Sequence, residues 1–446
     1  MNKEKEMILD DNLWKVCLKL SLPAVVAMVL YGLNVVFDAI FIGRFVGETA
    51  FAGVSVVYPL TQIPLGLGSL VGVGAGSYLS ILLGENDKKT TARLVGNANT
   101  LILLLTVIMM AFGFIFLNSL LSIMGAVGDE LVYGSQYFRV TLYGTIFWIG
   151  GLGYNMIIRA EGKMKTAATM MGIGLVVNII ANYILMGIFD FGVQGAAWGT
   201  NICMFVITLL FISYCKSGKA SFNVNVFKIY RDKDIIKEII SLGMPSFIMC
   251  IMTVIQGIII MKALNTYGTT SDVAFYGIVF RLFNLFLTPI YGLMRALQPT
   301  VGVNFGAKQY ERVVSSYKIF SLAALIIMLP LWLISMIFSN SVLSLMLPDV
   351  IFSSTQLFEF RIFITIAPLL CIVLTAMTFW PAIKKPKPAM VFGIGRQLFL
   401  YIPLMIVLPM FFGIVSIYVG SFVIDLILTI IIVFMLKKEF NILRSM

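Results

Sequence analysis

Asp38 is a carboxylate inside an apolar stretch that runs from Leu30 to Gly43 and carries no other charge. That stretch is the second half of an apolar run long enough to cross a lipid bilayer. A carboxylate in hydrocarbon costs about 3 kcal/mol or more, so by default it indicates an ion or substrate pathway. The alternative is an acid near a helix end that reaches the interface, although an aspartate side chain is too short to extend far.

Asp425 is a second acid inside an apolar run, and Arg281 and Arg396 lie in two other apolar runs. Unpaired charges are rare in lipid, so one interpretation is an ion pair between Asp425 and one of these arginines. The other interpretation is a second proton site, and the three residues form a candidate secondary charge site. Pro23 lies in the first apolar run, where it removes a backbone hydrogen bond and allows a helix kink.

The composition indicates a polytopic helical membrane protein. Of the 446 residues, 60% are hydrophobic and 12% are charged, whereas soluble proteins have about 25% charged residues. The chain has no histidine, and its five cysteines show no CxxC spacing, so we expect no metal site and no cofactor. The net charge of +11 comes from short loops between the apolar runs, which indicates membrane topology and no nucleic-acid partner.

Hydropathy predicts twelve spans, at 14–43, 50–82, 95–118, 133–158, 167–188, 192–214, 236–262, 273–300, 315–338, 359–382, 389–411 and 414–436. The loops on one side contain most of the lysines and arginines, whereas the other side has little beyond Arg44, Arg139 and Lys262. Positively charged loops stay in the cytoplasm. We therefore predict a multi-pass protein of the inner (plasma) membrane, with both termini and the loop 215–235 on the cytoplasmic side.

The chain contains an internal repeat with an offset of 222 residues. The matching positions are Pro23 with Pro245, Gly84 with Gly306, and segment 163–167 with segment 385–389. Each half has six spans, so the halves share one orientation, an arrangement found in transporters that bind substrate between their halves. We predict an all-α polytopic membrane protein of twelve transmembrane helices in two pseudo-symmetric lobes, 1–214 and 236–446, joined by the linker 215–235.

Several motifs resemble those of the MATE (multidrug and toxic compound extrusion) transporters, and the resemblance covers nearly the whole chain. They are Pro23 with Asp38 fifteen positions on, Gly43, segment 73–78, segment 159–162 after span 4, and Gln298-Pro299-Thr300-Val301-Gly302-Val303-Asn304-Phe305-Gly306-Ala307 after span 8. The last segment and the duplicated plan are the specific features, and the chain is most similar to bacterial DinF-like and MepA-like members. The resemblance implies a proton- or sodium-driven exporter of cationic, amphiphilic compounds.

The resemblance also implies a cation site in the N-terminal lobe. In DinF-like relatives this site comprises an Asp in span 1, an Asn and an Asp one turn apart in span 5, and a Thr in span 6. The corresponding residues here are Asp38, Asn178, Asn182 and Thr200, so an asparagine replaces the second acid. The acids that NorM-like relatives have in the C-terminal lobe are missing, and Thr253 stands at the span 7 position.

The residues themselves fit one shared site. Asn178 and Asn182 are four positions apart and face the same way on a helix, and a rise of about 1.5 Å per residue puts all four side chains at one depth in the outer membrane half. Their oxygens suit a sodium ion, whereas a dry site favours a protonated Asp38. Having one acid instead of two favours proton coupling. The alternative for the two asparagines and Thr200 is hydrogen bonding within and between helices.

Aromatic and polar side chains in spans 1, 2, 4, 7 and 8 are candidates for a substrate cavity. They are Tyr31, Asn34, Gln62, Phe147, Tyr154, Asn155, Gln256 and Tyr276. Apolar walls with a few polar groups suit amphiphilic ligands. The 26 methionines can help such a surface adapt, although packing against lipid or other helices is the alternative for most of them.

We therefore predict a secondary active multidrug exporter that works by alternating access, with Asp38 as the coupling residue. Its expected partners are small amphiphilic molecules and the lipid bilayer, and we expect a monomer. The alternative is a lipid or lipid-linked oligosaccharide flippase of the same superfamily, for which Arg281 and Arg295 are the interior basic candidates on span 8. No catalytic constellation is present in the sequence, so we do not predict an enzyme.

Overall fold

The computed structural model describes residues 3–123, 128–218, 220, 228–344 and 351–445, and every regular element within them is a helix. The N-terminal half contains α1 (Lys3–Asp10), α2 (Leu13–Phe45), α3 (Glu48–Glu85), α4 (Lys88–Ile115), α5 (Leu117–Ile123), α6 (Gly128–Tyr143), α7 (Thr145–Ala160), α8 (Met164–Asn182) and α9 (Gly192–Lys216). The C-terminal half contains α10 (Lys233–Tyr267), α11 (Thr270–Gly306), α12 (Tyr310–Ile337), α13 (Ser339–Ser344), α14 (Ser354–Thr365), α15 (Ala367–Ala382), α16 (Pro386–Ile394), α17 (Ile402–Phe412) and α18 (Val415–Arg444). The predicted all-α fold is confirmed.

Eleven of the twelve predicted spans correspond to described helical segments that are long and apolar enough to cross a membrane. The remaining span, predicted at 133–158, is divided between α6 and α7, which have 16 residues each. The division falls at Gly144. At about 1.5 Å per residue the two helices together reach about 48 Å, enough for a hydrocarbon core of about 30 Å. The chain is therefore a multi-pass membrane protein with a twelve-span plan.

Asn201 of α9 satisfies backbone and side-chain groups at the break between α6 and α7. Its Nδ2 donates a hydrogen bond to the Val140 carbonyl oxygen at 2.7 Å, and its Oδ1 accepts one from Trp148 Nε1 at 2.7 Å. A Cβ at position 144 would overlap the Asn201 amide. Gly144 therefore provides the space through which Asn201 ties α9 to both parts of the broken span.

Asn201→Ala is expected to lower the free energy of unfolding by about 2 kcal/mol, because the Val140 carbonyl and the Trp148 indole would stay buried without partners. Thermal unfolding of the purified protein in detergent would show this as a lower Tm. Asn441→Ala, at an exposed position of α18, is the control and should leave the Tm unchanged. An unchanged Tm in both variants would contradict the role of Asn201 at the break.

The helix boundaries reproduce the repeat that was inferred from the sequence. Helices α4 and α12 begin and end 222 positions apart, and so do α7 and α15. The break at Gly144 also has a counterpart at Ile366, between α14 and α15. The assignment of residues 1–214 and 236–446 to two lobes stays a prediction. The described helices flanking the linker end at Lys216 and begin at Lys233, within the predicted linker 215–235.

Helix α3 of the N-terminal half packs backbone to backbone against α10 and α11 of the C-terminal half. A Cβ on Gly74 would overlap the Ile239 carbonyl oxygen, and a Cβ on Gly243 would overlap the Leu70 carbonyl oxygen. Equivalent contacts join Gly84 to Val303 and Gly306 to Ile81. All of them lie in the membrane half that is predicted to face the cytoplasm. Glycine is required there because any side chain would separate the two halves.

Gln298 of α11 adds polar contacts to the same interface. Its Nε2 donates hydrogen bonds to Ser77 Oγ at 3.0 Å and to the Val73 carbonyl oxygen at 3.2 Å. Gln298 is 5% exposed and Ser77 is fully buried. Buried polar groups that are hydrogen-bonded to one another favour one specific register of two helices, so these bonds define how α11 sits on α3.

The short helix α1 lies on the same side of the protein as these contacts between α3, α10 and α11. Ile8 is fully buried, and its carbonyl oxygen accepts hydrogen bonds from Arg312 Nε at 3.0 Å and Asn304 Nδ2 at 3.4 Å. Both Glu4 and Ile8 also pack against Gly162, which follows α7. The N-terminal helix therefore contacts both halves of the chain.

Helix α2 contacts both halves as well. Its N-terminal part meets α11, where a Cβ on Gly292 would lie 2.6 Å from Val25 Cα. Its C-terminal part contributes Asp38 to contacts with α8 and α9. Pro23 lies inside α2, which the structure describes as one helix from Leu13 to Phe45. The kink at Pro23 stays a prediction.

Candidate functional site

Asp38, Asn178, Asn182 and Thr200 form one polar cluster among α2, α8 and α9. Asn178 and Asn182 are fully buried, Thr200 is 5% exposed, and Asp38 is half-buried. Asp38 and Thr200 are 162 positions apart in the chain. The structure thus brings together the four residues selected from the sequence as a candidate cation site.

Hydrogen bonds connect all four members of this cluster. Asn182 Nδ2 donates to Asp38 Oδ1 at 2.6 Å, and Thr200 Oγ1 donates to Asp38 Oδ2 at 3.0 Å. Asn178 Nδ2 donates to Thr200 Oγ1 at 3.4 Å, and Asn178 Oδ1 accepts from Asn182 Nδ2 at 3.2 Å. Hydrogen bonds to an ionised group are roughly twice as strong as neutral ones. The network can therefore hold a charged carboxylate among membrane-spanning helices.

The Asn182 amide oxygen is buried and has no hydrogen-bond partner in the described part of the chain. It lies against Gly199 of α9, where a Cβ would overlap it. An amide carries donors on one side and an acceptor on the other, so a half-turn of this group would present Oδ1 to Asp38. In that orientation it can accept a hydrogen bond from a protonated Asp38, or share a cation with the carboxylate.

The chemistry of the cluster can accommodate either a sodium ion or a proton. After the half-turn of Asn182, four oxygens from the four residues converge, a set that suits a hard cation such as sodium. With a proton on Asp38, the same amide oxygen becomes the acceptor of a neutral hydrogen bond. When Asp38 takes up an ion or a proton in place of these hydrogen-bond donors, both its charge and its contacts change.

Asp425 of α18 is paired with Arg396 and not with Arg281. Arg396 Nε and Nη2 donate to the two carboxylate oxygens at 2.6 and 3.1 Å. Gln256 Oε1 accepts hydrogen bonds from Arg396 Nη1 at 3.2 Å and from Gln397 Nε2 at 2.6 Å. This bidentate pair satisfies both charges, so its geometry matches the ion-pair interpretation of the secondary charge site.

Each polar cluster lies beside a π-helical segment. One such segment, Tyr183–Ile188, follows Asn182 directly, and the other, Gly395–Tyr401, contains both Arg396 and Gln397. π-Helical turns are rare and frequent at functional sites. In both halves the distortion occurs where a polar group must point inward from an otherwise apolar helix.

A cavity of about 990 Å³ lies between α3 and the helices of the C-terminal half. Three of the predicted cavity residues line it, namely Gln62, Gln256 and Tyr276, together with the charged residues Lys262, Arg281, Arg396 and Asp425. Much of the remaining wall is apolar, including Met249, Met252, Phe280, Phe283, Leu287 and Met377. Ligand pockets typically measure about 300–1,000 Å³, so this cavity has room for a drug-sized molecule.

The other five predicted cavity residues are not among the described residues that line this cavity. Tyr31 and Phe147 pack against an apolar cluster of the N-terminal half, and Asn34 Nδ2 donates to Cys203 Sγ at 3.8 Å. We correct the assignment of Tyr154 and Asn155, which are 9% and 1% exposed. They face protein because each makes internal hydrogen bonds, Tyr154 to Asn99 and Asn155 to Ala167 and Arg159.

Sequence reasoning missed Tyr58, Gln397 and Gly199. Tyr58 lines the cavity from α3, four positions before Gln62 and hence on the same helix face. Gln397 follows Arg396 in an apolar run and supports Gln256. Their polar character within the predicted spans was an available signal. Gly199 had no such signal, because its role depends on the approach of Asn182 from another helix.

Sequence comparison relates both halves of the chain to one protein family. The MatE family model matches residues 23–184 and 245–407. Multidrug export protein MepA of Staphylococcus aureus is 30% identical over 300 residues. That alignment covers 66% of this chain and 65% of the relative, so it spans slightly less than two thirds of the relative's length.

Solved structures show the same fold. A MATE crystal structure in the bent conformation aligns with a TM-score of 0.92 at 21% sequence identity, covering 100% of this chain and 99% of the other. An outward-facing multidrug resistance MATE family transporter of the MOP superfamily aligns with a TM-score of 0.91 at 21% identity, covering 99% of each chain. At such identities the likeness concerns the fold alone.

Proposed function

This chain belongs to the MATE family of membrane transporters, and from that premise we propose that it is a secondary active multidrug exporter. The inward flow of protons or sodium ions drives the extrusion of amphiphilic organic compounds by a monomer in the inner (plasma) membrane. The observation that carries the proposal is the Asp38 cluster, a carboxylate held by Asn182 and Thr200 among spanning helices. An ionisable group in such a place is a candidate for an ion pathway.

Ion binding at Asp38 is coupled to the rest of the protein through α2. A bound ion or proton neutralises Asp38 and changes its hydrogen bonds with α8 and α9. The same helix packs against α11 at Val25 and Gly292, so a change in its direction alters a contact between the two halves. The proline at position 23, two residues before Val25, is the proposed point of bending.

The proposed transport cycle alternates access to the cavity. Lys262 and Thr266 near the end of α10 and Ser55 near the start of α3 line the cavity. These helix ends lie on the side poor in basic residues, which we assign to the outside, with both termini in the cytoplasm. On the opposite side the glycine contacts of α3 hold the halves together. This arrangement is outward-facing, and loading from the cytoplasm requires those contacts to separate.

The proposed substrates are amphiphilic organic compounds. The apolar wall of the cavity can bury an aromatic or aliphatic body, and its polar groups can orient the rest. MepA, described as a multidrug export protein, supports a broad substrate range. Cationic compounds are the class expected from the family resemblance.

A lipid or lipid-linked oligosaccharide flippase is the second candidate. It is favoured by the basic residues Lys262 and Arg281 in the cavity wall, which suit phosphate groups. Translocation of a fluorescent phospholipid across proteoliposomes, in the absence of any ion gradient, would support this candidate over the exporter.

Accumulation of ethidium in inside-out vesicles tests the exporter proposal. A proton gradient and a sodium gradient are applied separately, and the coupled ion should drive accumulation that stops when its gradient is collapsed. Vesicles that contain folded protein but show no accumulation above empty vesicles with either gradient would contradict the proposal.

Gly199→Ala is expected to lower gradient-driven ethidium transport about tenfold, because the new methyl group would displace the Asn182 amide from the Asp38 carboxylate. Gly32→Ala is the matched control, since a Cβ at position 32 of α2 would meet no atom within 4 Å. Initial rates in vesicles with equal amounts of each variant give the comparison. Equal rates for the two variants would show that the position of Asn182 does not matter for coupling.

A further inference from the structure

The charged side chains on the cavity wall are mostly positive. Lys262, Arg281 and Arg396 line the cavity, whereas Asp425 is the one acid among its described lining residues. Asp425 is already paired with Arg396 through two hydrogen bonds. The wall therefore has an excess of positive charge, provided by Arg281 and Lys262. A pocket that selects only cations would carry the opposite sign.

Arg281 occupies the cavity face of α11. Gly277 and Asn284, four positions before and three positions after Arg281, line the same cavity and therefore lie on the same helix face. Arg281 is exposed, although it lies in the spanning segment Phe275–Gly306. Among the described residues, no carboxylate lies within 4.0 Å of the Arg281 guanidinium, so no salt bridge to it is formed there. An arginine at such a depth normally faces water or a partner, and here it faces the cavity.

The chemistry of this arginine selects a particular kind of group. A guanidinium is planar, always charged and presents five N–H donors that match a carboxylate, sulfonate or phosphate. Lys262 lies nearer the end of α10 and also lines the cavity. A second positive charge there adds to the local potential, which attracts anions into a cleft with apolar walls.

We infer that Arg281 is the centre of a binding subsite for an anionic group of an amphiphilic substrate. The apolar body of such a molecule lies against the methionine and phenylalanine wall, and its carboxylate, sulfonate or phosphate accepts hydrogen bonds from Arg281. The inference rests on the proposed function, because it names a substrate class for the same cavity. Free amphiphiles and lipid headgroups share this chemistry.

Two dansyl probes that differ only in their terminal charge test the inference directly. One ends in a carboxylate and the other in a trimethylammonium group, and their affinities for the purified protein are measured by dansyl fluorescence. Arg281→Gln should weaken binding of the carboxylate probe about tenfold, as expected for loss of a charged hydrogen bond, and should not weaken the cationic probe. Arg281→Lys retains the charge and should bind the carboxylate probe with most of the wild-type affinity.

Arg139→Gln is the matched control, because Arg139 is also an exposed arginine but lines a separate, small pocket. It should leave the affinity for both probes unchanged. Equal affinity of the wild type and Arg281→Gln for the carboxylate probe would overturn the inference. An equal weakening of both probes in Arg281→Gln would also overturn it, because it would indicate a structural role.

Transport measurements separate this inference from the proposed function. Gradient-driven transport of the cationic probe, together with no binding of the carboxylate probe, would leave the exporter intact and refute the subsite. Binding of the carboxylate probe that depends on Arg281, without gradient-driven transport of either probe, would retain the subsite and refute the exporter. Competition by phosphatidylglycerol but not by a free aryl carboxylate would identify a lipid headgroup as the source of the anion.

Discussion

Asp38→Asn is expected to abolish ion-driven export while the protein still inserts and folds. The substitution keeps the size of the side chain, so the packing among α2, α8 and α9 is preserved. It removes the charge that Asn182 and Thr200 hold with hydrogen bonds of 2.6 and 3.0 Å. A neutral amide cannot bind and release a proton, and it is a weaker ligand for sodium than a carboxylate.

Gradient-driven accumulation of ethidium in inside-out vesicles measures this effect, and Asp38→Asn should reduce the initial rate about a hundredfold or more. Asp129→Asn, at an exposed position at the start of α6, is the control and should retain the wild-type rate. The Tm in detergent should be similar for all three proteins, which separates coupling from folding.

Wild-type rates in Asp38→Asn would remove Asp38 from the coupling mechanism. In that case Asp425 would be the remaining intramembrane acid of the two singled out in the sequence. Its pairing with Arg396 predicts that Asp425→Asn mainly lowers stability, because the Arg396 charge would lose its partner in a half-buried place.

Gly243→Ala is expected to lower the export rate about tenfold or more by opposing closure of the cytoplasmic side. The added methyl group would overlap the Leu70 carbonyl oxygen, so α3 and α10 would have to move apart by about 1.5 Å to reach a normal contact distance. Overpacking of this kind costs about 1–3 kcal/mol. If the two helices separate during the cycle, the substitution destabilises only the outward-facing arrangement, in which α3 and α10 are in contact.

Two measurements check the Gly243→Ala prediction. The first is the rate of gradient-driven export, and the second is labelling of a cysteine introduced at Ser77 by a membrane-impermeant maleimide from the cytoplasmic side. Ser77 is buried in the interface with α11, so labelling should increase when the halves separate. The cysteine is introduced into a variant in which the five native cysteines are replaced, so that only position 77 can react.

Gly32→Ala in α2 is the matched control, because a Cβ there would meet no atom within 4 Å and Gly32 is not among the described residues that line the cavity. It should change neither labelling nor the export rate by more than about twofold. Wild-type labelling and transport in Gly243→Ala would mean that the tight contact between α3 and α10 does not limit the cycle.

Much of the fold follows from local features of the sequence. In a bilayer the backbone must satisfy its own hydrogen bonds, so an apolar run of about 20 residues specifies a helix. The 222-residue offset between Pro23 and Pro245 anticipated helix boundaries that repeat with the same offset, as in α4 and α12. The broken span was not anticipated, because Gly144 breaks the helix where the Asn201 amide enters from α9.

The sequence by itself identified Asp38 as an acid in hydrocarbon and, through the family resemblance, the three side chains that form a hydrogen-bonded cluster with it. Only the tertiary structure decided that Asp425 pairs with Arg396, that Gln256 and Tyr276 line the cavity, and that Tyr154 and Asn155 do not. The physical reason is that hydrophobicity and helix periodicity are local properties of the chain. Which charges meet, and where empty space remains, depends on how helices distant in sequence pack together.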